Sequence, residues 1–379
     1  MSDITFRGGP IFDGSQLLTG HALSMAGGKV VALAPERDMA PSGRVLELDG
    51  DLLAPGYVDL QVNGGGGVMV NDGPTIADLA RIAEAHRRLG STSILPTLIT
   101  DTFERTRAAV KVTVQAIAEG MPGIGGLHLE GPHLALSRKG AHDPALIRPM
   151  QTPDLELLCE AAARLPVLMV TVAPESVSRE QVARLARAGA VVSLGHSDTD
   201  FETALDYAAA GARCVTHLFN AMSPLDKRAP GLVGAALHSD TLAAGLIADG
   251  IHVHPAAMRI ALAAKAGESG VFLVTDAMAP AGTDATGFEL NGRRITREQG
   301  KLVLSDGTLA GADLDLTRAI NLLVSEVGIG LERALAMATS VPAGVAGLPQ
   351  GAGRLVAGGR AAAIRLAQTP DGLVLRGTV

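Results

Sequence analysis

The stretch "YVDLQVNGGGG", Tyr57 to Gly67, begins as an apolar strand and ends in two amides and four glycines. Gln61 and Asn63 lie two residues apart, so on a strand they project from one face. A polar pair at a strand's end suggests a site, yet amides are poor nucleophiles, poor bases and weak metal ligands. Downstream the apolar-run motif recurs at Ser93–Thr97, Gly123–Leu129, Val167–Val172, Val191–Leu194, Cys214–Leu218, Leu242–Ala248 and Gly270–Thr275. Between the runs fall helical stretches such as "TIADLARIAEAHRRLG" and "SREQVARLARAGA", which end at glycine. Eight strands, each followed by a helix or long loop, predict a TIM (β/α)8 barrel over residues 55–344. The alternation alone also fits an open doubly wound sheet. Residues 1–54 and 345–379 read instead as short strands punctuated by Asp13-Gly14, Asp49-Gly50 and Asp371-Gly372. The two ends are expected to pair as one small β-sandwich domain.

Composition narrows the function. The chain has 379 residues, 47% of them apolar, and a formal charge of −7, which disfavours nucleic-acid and membrane-surface binding. Two cysteines make neither a disulfide framework nor a zinc knuckle, and the opening "MSDITFRGGPIFDG" has no basic segment followed by an apolar one. A cytoplasmic location is expected. Aromatic residues are only 2% of the chain, so a ligand is expected to be held by hydrogen bonds, charge or metal rather than stacking.

Polar residues end the apolar runs. Run one ends in Gln61 and Asn63, run three in His128 and Glu130, run five in His196, and run six in His217 and Asn220. Run seven leads into Asp249 and His252, and run eight into Asp276. Barrel sites form at the C-terminal strand ends, so this placement sends all of them to one mouth. Glu130, His196 and His217 make a two-histidine, one-carboxylate set suited to Zn²⁺ or Fe²⁺ with open positions. A lone strand-end histidine is more often structural; three such residues at corresponding ends reverse that. Asp276 fits a general base and then acid beside an activated water, against a turn or N-cap role. Lys227 and Arg228 are either a solvated pair or an anion clamp that His252 joins. His142 lies in a loop after run three, where catalytic loops are found. His128 reads as a buried, satisfied histidine, and Gly64–Gly67 as room for a close turn, since they lack GxGxxG spacing. The missing fingerprint also disfavours a Rossmann oxidoreductase.

"APGYVDLQVNG", "GLHLEGPHL", "KGAHDP", "SLGHSD", "THLFNAMSPL", "GLIADGIHVHP", "LVTDAMAPAG" and "GTLAG" occur in that order between Ala54 and Gly311. Together they resemble the N-acetylglucosamine-6-phosphate deacetylase family of the amidohydrolase superfamily. The resemblance implies hydrolysis of a linear amide C–N bond in an acetamido sugar 6-phosphate, in amino-sugar catabolism. It implies one divalent metal per subunit, zinc or Fe²⁺, on Glu130, His196 and His217, with Asp276 as acid/base. It places Ala141 and His142 beside the acetyl group or sugar, and Asn220, Ala221, Arg228, Asp249 and His252 about the sugar phosphate. Leu309, Ala310 and Gly311 would form the acetyl pocket. It also implies a homodimer in which Arg228 acts near the partner subunit. Many amidohydrolases carry His-x-His where this chain has Gln61 and Asn63, and "VTVAPES" offers no lysine to bridge two metals. One metal is therefore expected, with the amides as position holders. The alternatives are the galacto epimer as substrate and, more remotely, a non-catalytic scaffold.

Overall fold

The computed structural model describes residues 3–267, 270–290 and 292–379. Eight parallel strands form the central sheet in sequence order: Tyr57–Val62, Ser91–Ile99, Leu127–Glu130, Leu168–Val172, Val191–Leu194, Ala212–Val215, Ala243–Leu246 and Val271–Leu273. They are called here the first to eighth barrel strands. The first, third, fourth, fifth, seventh and eighth are buried throughout, as strands covered on both faces must be. Closure falls just past the eighth strand, where Ala277 bridges Val62 in parallel. There Asp276 N–H donates to Gln61 O at 3.0 Å, and Asn63 N–H donates to Ala277 O at 2.9 Å. The fold is a (β/α)8 barrel, as the alternation predicts.

The outer helices start where side chains satisfy their free N–H groups. Thr75 accepts from Asp78 N–H and Asp78 returns the bond to Thr75 N–H, a capping box that opens helix Ile76–Arg88. Ser178 opens another helix with the same box, and Thr102, Asp200 and Asp315 cap later helices by accepting the N–H three residues on. The caps fix where each strand-to-helix loop ends, and those loops carry the polar residues.

The two chain ends meet in a β-rich appendage. Strands Leu52–Pro55 and Ala363–Thr369 pair antiparallel, from Ala363 opposite Pro55 to Leu366 opposite Leu52. They belong to a five-stranded sheet with Gly372–Thr378, Ile11–Phe12 and Leu17–Leu18. A four-stranded sheet that includes Ile4–Arg7 and His21–Ala26 packs near it. Phe6, Ile11, Leu23, Leu53, Leu355 and Ala363 form their shared core. Arg365 ties the layers through Glu47 O at 3.2 Å and Leu48 O at 2.8 Å, at the end of strand Arg44–Glu47 in the four-stranded sheet.

One element has no counterpart in the sequence reading. Between the eighth strand and helix Leu316–Leu322, residues Gly287–Leu290, Arg293–Glu298, Lys301–Leu304 and Leu309–Ala312 make a four-stranded antiparallel sheet. Its inner residues Leu290, Ile295, Leu302 and Ala310 pack on Met69, Ile99, Met278 and Ala279 at the barrel mouth. The sheet walls the site.

Candidate active site

At the C-terminal mouth lies a cavity of about 260 Å³, in which Glu130, His196 and His217 converge. His196 Nε2 is 3.2 Å and His217 Nε2 3.0 Å from the same Glu130 Oε1, and the two ring nitrogens are 3.1 Å apart. All three residues are buried. His196 Nδ1 donates to Arg138 O at 2.7 Å, which fixes the tautomer and leaves a bare lone pair on Nε2 when the ring is neutral. Lone pairs this close repel unless they share a cation. A proton can play that part. Burial opposes charge on both groups, yet hydrogen bonds from the two histidines hold the Glu130 carboxyl well below its usual range. The same bond and the Glu130 charge raise His217 above its ordinary value against the burial penalty. A divalent ion suits this donor set better, being two imidazoles and a carboxylate aimed at one point.

Donor atoms of Glu130, His142 and His196 also lie within 4.8 Å of one another, so His142 is a fourth neighbour of that point. Its Nδ1 is engaged by Thr100 Oγ1 at 2.7 Å. Burial, followed by the nearby His196, pushes its pKa down to about 3, so the ring stays neutral. The tighter geometry favours His217 over His142 as the third ligand. Neutral His142 can serve as a hydrogen-bond donor.

Asp276 stands across the cavity. Burial, then the charge of Glu130, pushes its pKa up to about 6. Its Oδ1 accepts from Asn63 Nδ2 at 2.6 Å and from Gln61 Nε2 at 3.2 Å, and Gln61 Nε2 also reaches Glu130 Oε1 at 3.2 Å. Backbone strain concentrates here as well. His196, His217, Phe219, Ala221 and Asp276 have φ of 48°, 33°, 75°, 49° and 52°, in the left-handed region that non-glycine residues avoid. Each belongs to a turn leaving a strand's end.

The structure brings most of the other expected residues to the cavity wall: Asn63, Ala141, His142, Asn220, Ala221, His252, Leu309 and Gly311. Gly311 needs its φ of 67°, and a Cβ there would lie 2.6 Å from Met278 Cγ. Gln61 reaches the site only through its hydrogen bonds and otherwise faces a small void beneath, lined by His128. Asp249 stands behind the wall and receives His252 Nδ1 at 2.6 Å. Ala310 turns into the core of the antiparallel sheet. Arg228 stands exposed on a loop outside the cavity, and neither lysine nor arginine occurs among the described lining residues. His128 is buried between Leu60 O and Thr171 Oγ1, as the sequence suggests.

Three residues with a bearing on the site escaped the sequence reading. Thr100 anchors His142. Asp59 accepts from Thr275 Oγ1 at 2.5 Å, directly behind Asp276. Arg293 reaches from the antiparallel sheet to Ala141 O at 2.5 Å. Only Asp59 had a signal, being two residues before Gln61 on the same strand face. A larger cleft of about 970 Å³ lies at the opposite barrel end, beside Arg213, Asp240 and Arg354. Among its described lining residues there is no histidine or cysteine, so size does not mark the site here.

Residues 52–378 match the amidohydrolase family. The chain belongs to that family. This amidohydrolase is 45% identical over 298 residues to the N-acetylgalactosamine-6-phosphate deacetylase of Shewanella sp. (strain ANA-3), covering 79% of this chain and 75% of that protein. It superposes on the crystal structure of N-acetylglucosamine-6-phosphate deacetylase from Pasteurella multocida with a TM-score of 0.93 and 34% identity, covering 100% and 98% of the two chains. The N-acetyl-D-glucosamine-6-phosphate deacetylase of Mycobacterium smegmatis, a mutant in complex with N-acetyl-D-glucosamine-6-phosphate, gives 0.88 and 31%, covering 98% and 96%. The amidohydrolase described here is thus closely related to hexosamine-6-phosphate deacetylases. It carries a buried Glu-His-His triad capable of coordinating a divalent metal ion.

Proposed function

We propose that the protein hydrolyses N-acetyl-D-glucosamine 6-phosphate to D-glucosamine 6-phosphate and acetate, as a metal-dependent deacetylase in amino-sugar catabolism. The observation that carries this reading is the buried meeting of Glu130, His196 and His217 within reach of a second, differently tuned carboxyl, Asp276. Two carboxyls whose surroundings push their pKa values apart are suited to different tasks. Glu130 stays ionised and serves as a ligand. Asp276, near 6, can take a proton and return it.

Glu130, His196 and His217 would hold a divalent ion, zinc by donor type with Fe²⁺ as the alternative, which would supply Lewis acidity toward a water near neutral pH. The remaining steps belong to the chain. Asp276 accepts a proton from the attacking water as its oxygen bonds to the acetamide carbon. His142, neutral and anchored by Thr100, donates from Nε2 to the carbonyl oxygen as that atom gains negative charge. Asp276 then delivers its proton to the amide nitrogen, the C–N bond breaks, and acetate and the amine leave. Leu309 and Gly311 lie against the acetyl group, and Asn220, Ala221 and His252 against the sugar phosphate, with Asp249 orienting His252. Among the described residues the wall holds no lysine or arginine, so the phosphate needs a cation from elsewhere, and we assign that part to Arg228 across a homodimer interface.

A second reading has its own support: the 45% identical relative acts on the galacto epimer. Acetate release from both 6-phosphorylated N-acetylhexosamines, measured beside metal content, separates the two. The reading as a whole is tested by Asp276→Asn, for which turnover should fall by about 10²–10⁴ with one equivalent of metal retained. Full activity in that variant would overturn it.

A further inference from the structure

We propose that Gln61 and Asn63 are positioning residues that clamp Oδ1 of Asp276, so that Oδ2 alone faces the reacting water. The proposal rests on the deacetylase reading and assigns these amides a task beyond filling space. Both side chains donate to one and the same carboxylate oxygen, Asn63 Nδ2 at 2.6 Å and Gln61 Nε2 at 3.2 Å. Oδ2 takes no hydrogen bond among the described residues, and Asp276 lines the cavity.

Asn63 shows that this orientation is enforced. Turning its amide over would set two oxygens 2.6 Å apart, so the nitrogen must face Asp276. The consequence is that Asn63 Oδ1, in a fully buried residue, has no hydrogen-bond partner among the described residues. A buried acceptor left unsatisfied is unfavourable, and a residue present only to fill space would be apolar or fully bonded.

The backbone is held from the same strand. Asp59 and Gln61 lie two apart on the first barrel strand, and Asn63 follows at the same spacing one residue past its end. Asp59 binds Thr275 through Oγ1 at 2.5 Å and through its N–H at 3.2 Å. Gln61 O accepts from Asp276 N–H at 3.0 Å, and Asn63 N–H donates to Ala277 O at 2.9 Å. Residue by residue, one strand fixes the segment in which Asp276 adopts its φ of 52°. Two neutral donors suit the purpose. They orient an ionised carboxylate by hydrogen bonding without adding a full positive charge, which would strip its basicity.

The test uses the full-length, metal-loaded protein. In Asn63→Leu, and separately in Gln61→Met, the donor is lost and the volume kept. We expect kcat to fall about 10–100-fold, the range for a supporting hydrogen bond at a metal site. KM should stay within about twofold and metal content at one equivalent. Asn63→Gln, which keeps an amide N–H donor without adding a metal-binding imidazole, should recover part of the loss. Crystal structures of the metal-loaded variants should show the Asp276 carboxylate rotated from its wild-type orientation. An unmoved carboxylate, or unchanged kcat in both donor-less variants, would overturn the clamp. A wild-type protein that releases acetate from neither hexosamine phosphate would instead sink the substrate reading, and the carboxylate's orientation would still decide the clamp.

Discussion

Asp59 and Asp276 are two buried carboxyls, one on the first barrel strand and one just past the eighth, and they have different partners. Asp59 is fully buried, and that burial pushes its pKa up to about 7 even though Thr275 and the Gln61 N–H offer compensating hydrogen bonds. Its folded pKa therefore exceeds the unfolded value of about 4. The sign follows: the stability it contributes is fully present below about pH 4 and is lost as pH rises through about 7. Asp59→Asn keeps an acceptor for Thr275 and removes the ionisation. Thermal unfolding of metal-free protein at pH 5 and pH 8 should show the wild type losing on the order of 1–3 kcal/mol more than the variant over that interval. Equal losses would show that Asp59 is not the group responsible. At this scale the sequence was largely legible. Glu130, His196, His217 and Asp276 stand out because each terminates an apolar run, and a charged or imidazole group there has no packing reason to exist. Thr100 and Arg293 do not stand out, since a threonine and an arginine suit ordinary strands and the chemistry lies in partners 42 and 152 residues away.

The antiparallel sheet of residues 287–312 is the element whose role the sequence hid. Its period-2 pattern becomes a wall only when Leu290, Ile295 and Leu302 find Met69 and Met278. Ile295 is fully buried in that small core. Ile295→Ala should cost about 2–4 kcal/mol locally. The damage should appear as faster amide exchange across residues 287–312 and a raised KM, because Leu309 and Gly311 lose their support, while metal content stays unchanged. A variant with wild-type KM would show that the sheet does not shape the cavity. The barrel helices are the opposite case. Their capping residues sit next to the runs they serve, so both the start of each helix and the loop before it can be located from local chemistry alone.

For the whole molecule, a divalent ion held by the triad would act as a fastener as well as a reagent. Glu130, His196 and His217 come from the third strand and from the turns after the fifth and sixth, so an ion shared among them ties three parts of the barrel. A ligand that binds only the folded state stabilises it by about 2.7 kcal/mol at a hundred times its Kd. Dialysis against a chelator should lower the melting temperature, and Zn²⁺ should restore it. Glu130→Gln should melt at the same temperature with or without chelator. If chelation leaves the wild-type melting temperature unmoved while bound metal is removed, the triad does not fasten the fold. No described helix is long and apolar enough to cross a membrane.

The sequence by itself determined the strand–helix alternation, the β-rich character of the two ends and the polar residues that end the apolar runs. Strand and helix periodicity, caps and terminating polar groups are all local, and burial enforces them wherever the chain runs. Tertiary structure alone decided what those groups do to one another. The pKa of Asp276, the fixed tautomer of His196 and the amides' grip on one oxygen depend on neighbours brought together by closure of the barrel. Interaction energies between buried polar groups are set by ångström distances and excluded water, and neither is written in spacing along the chain.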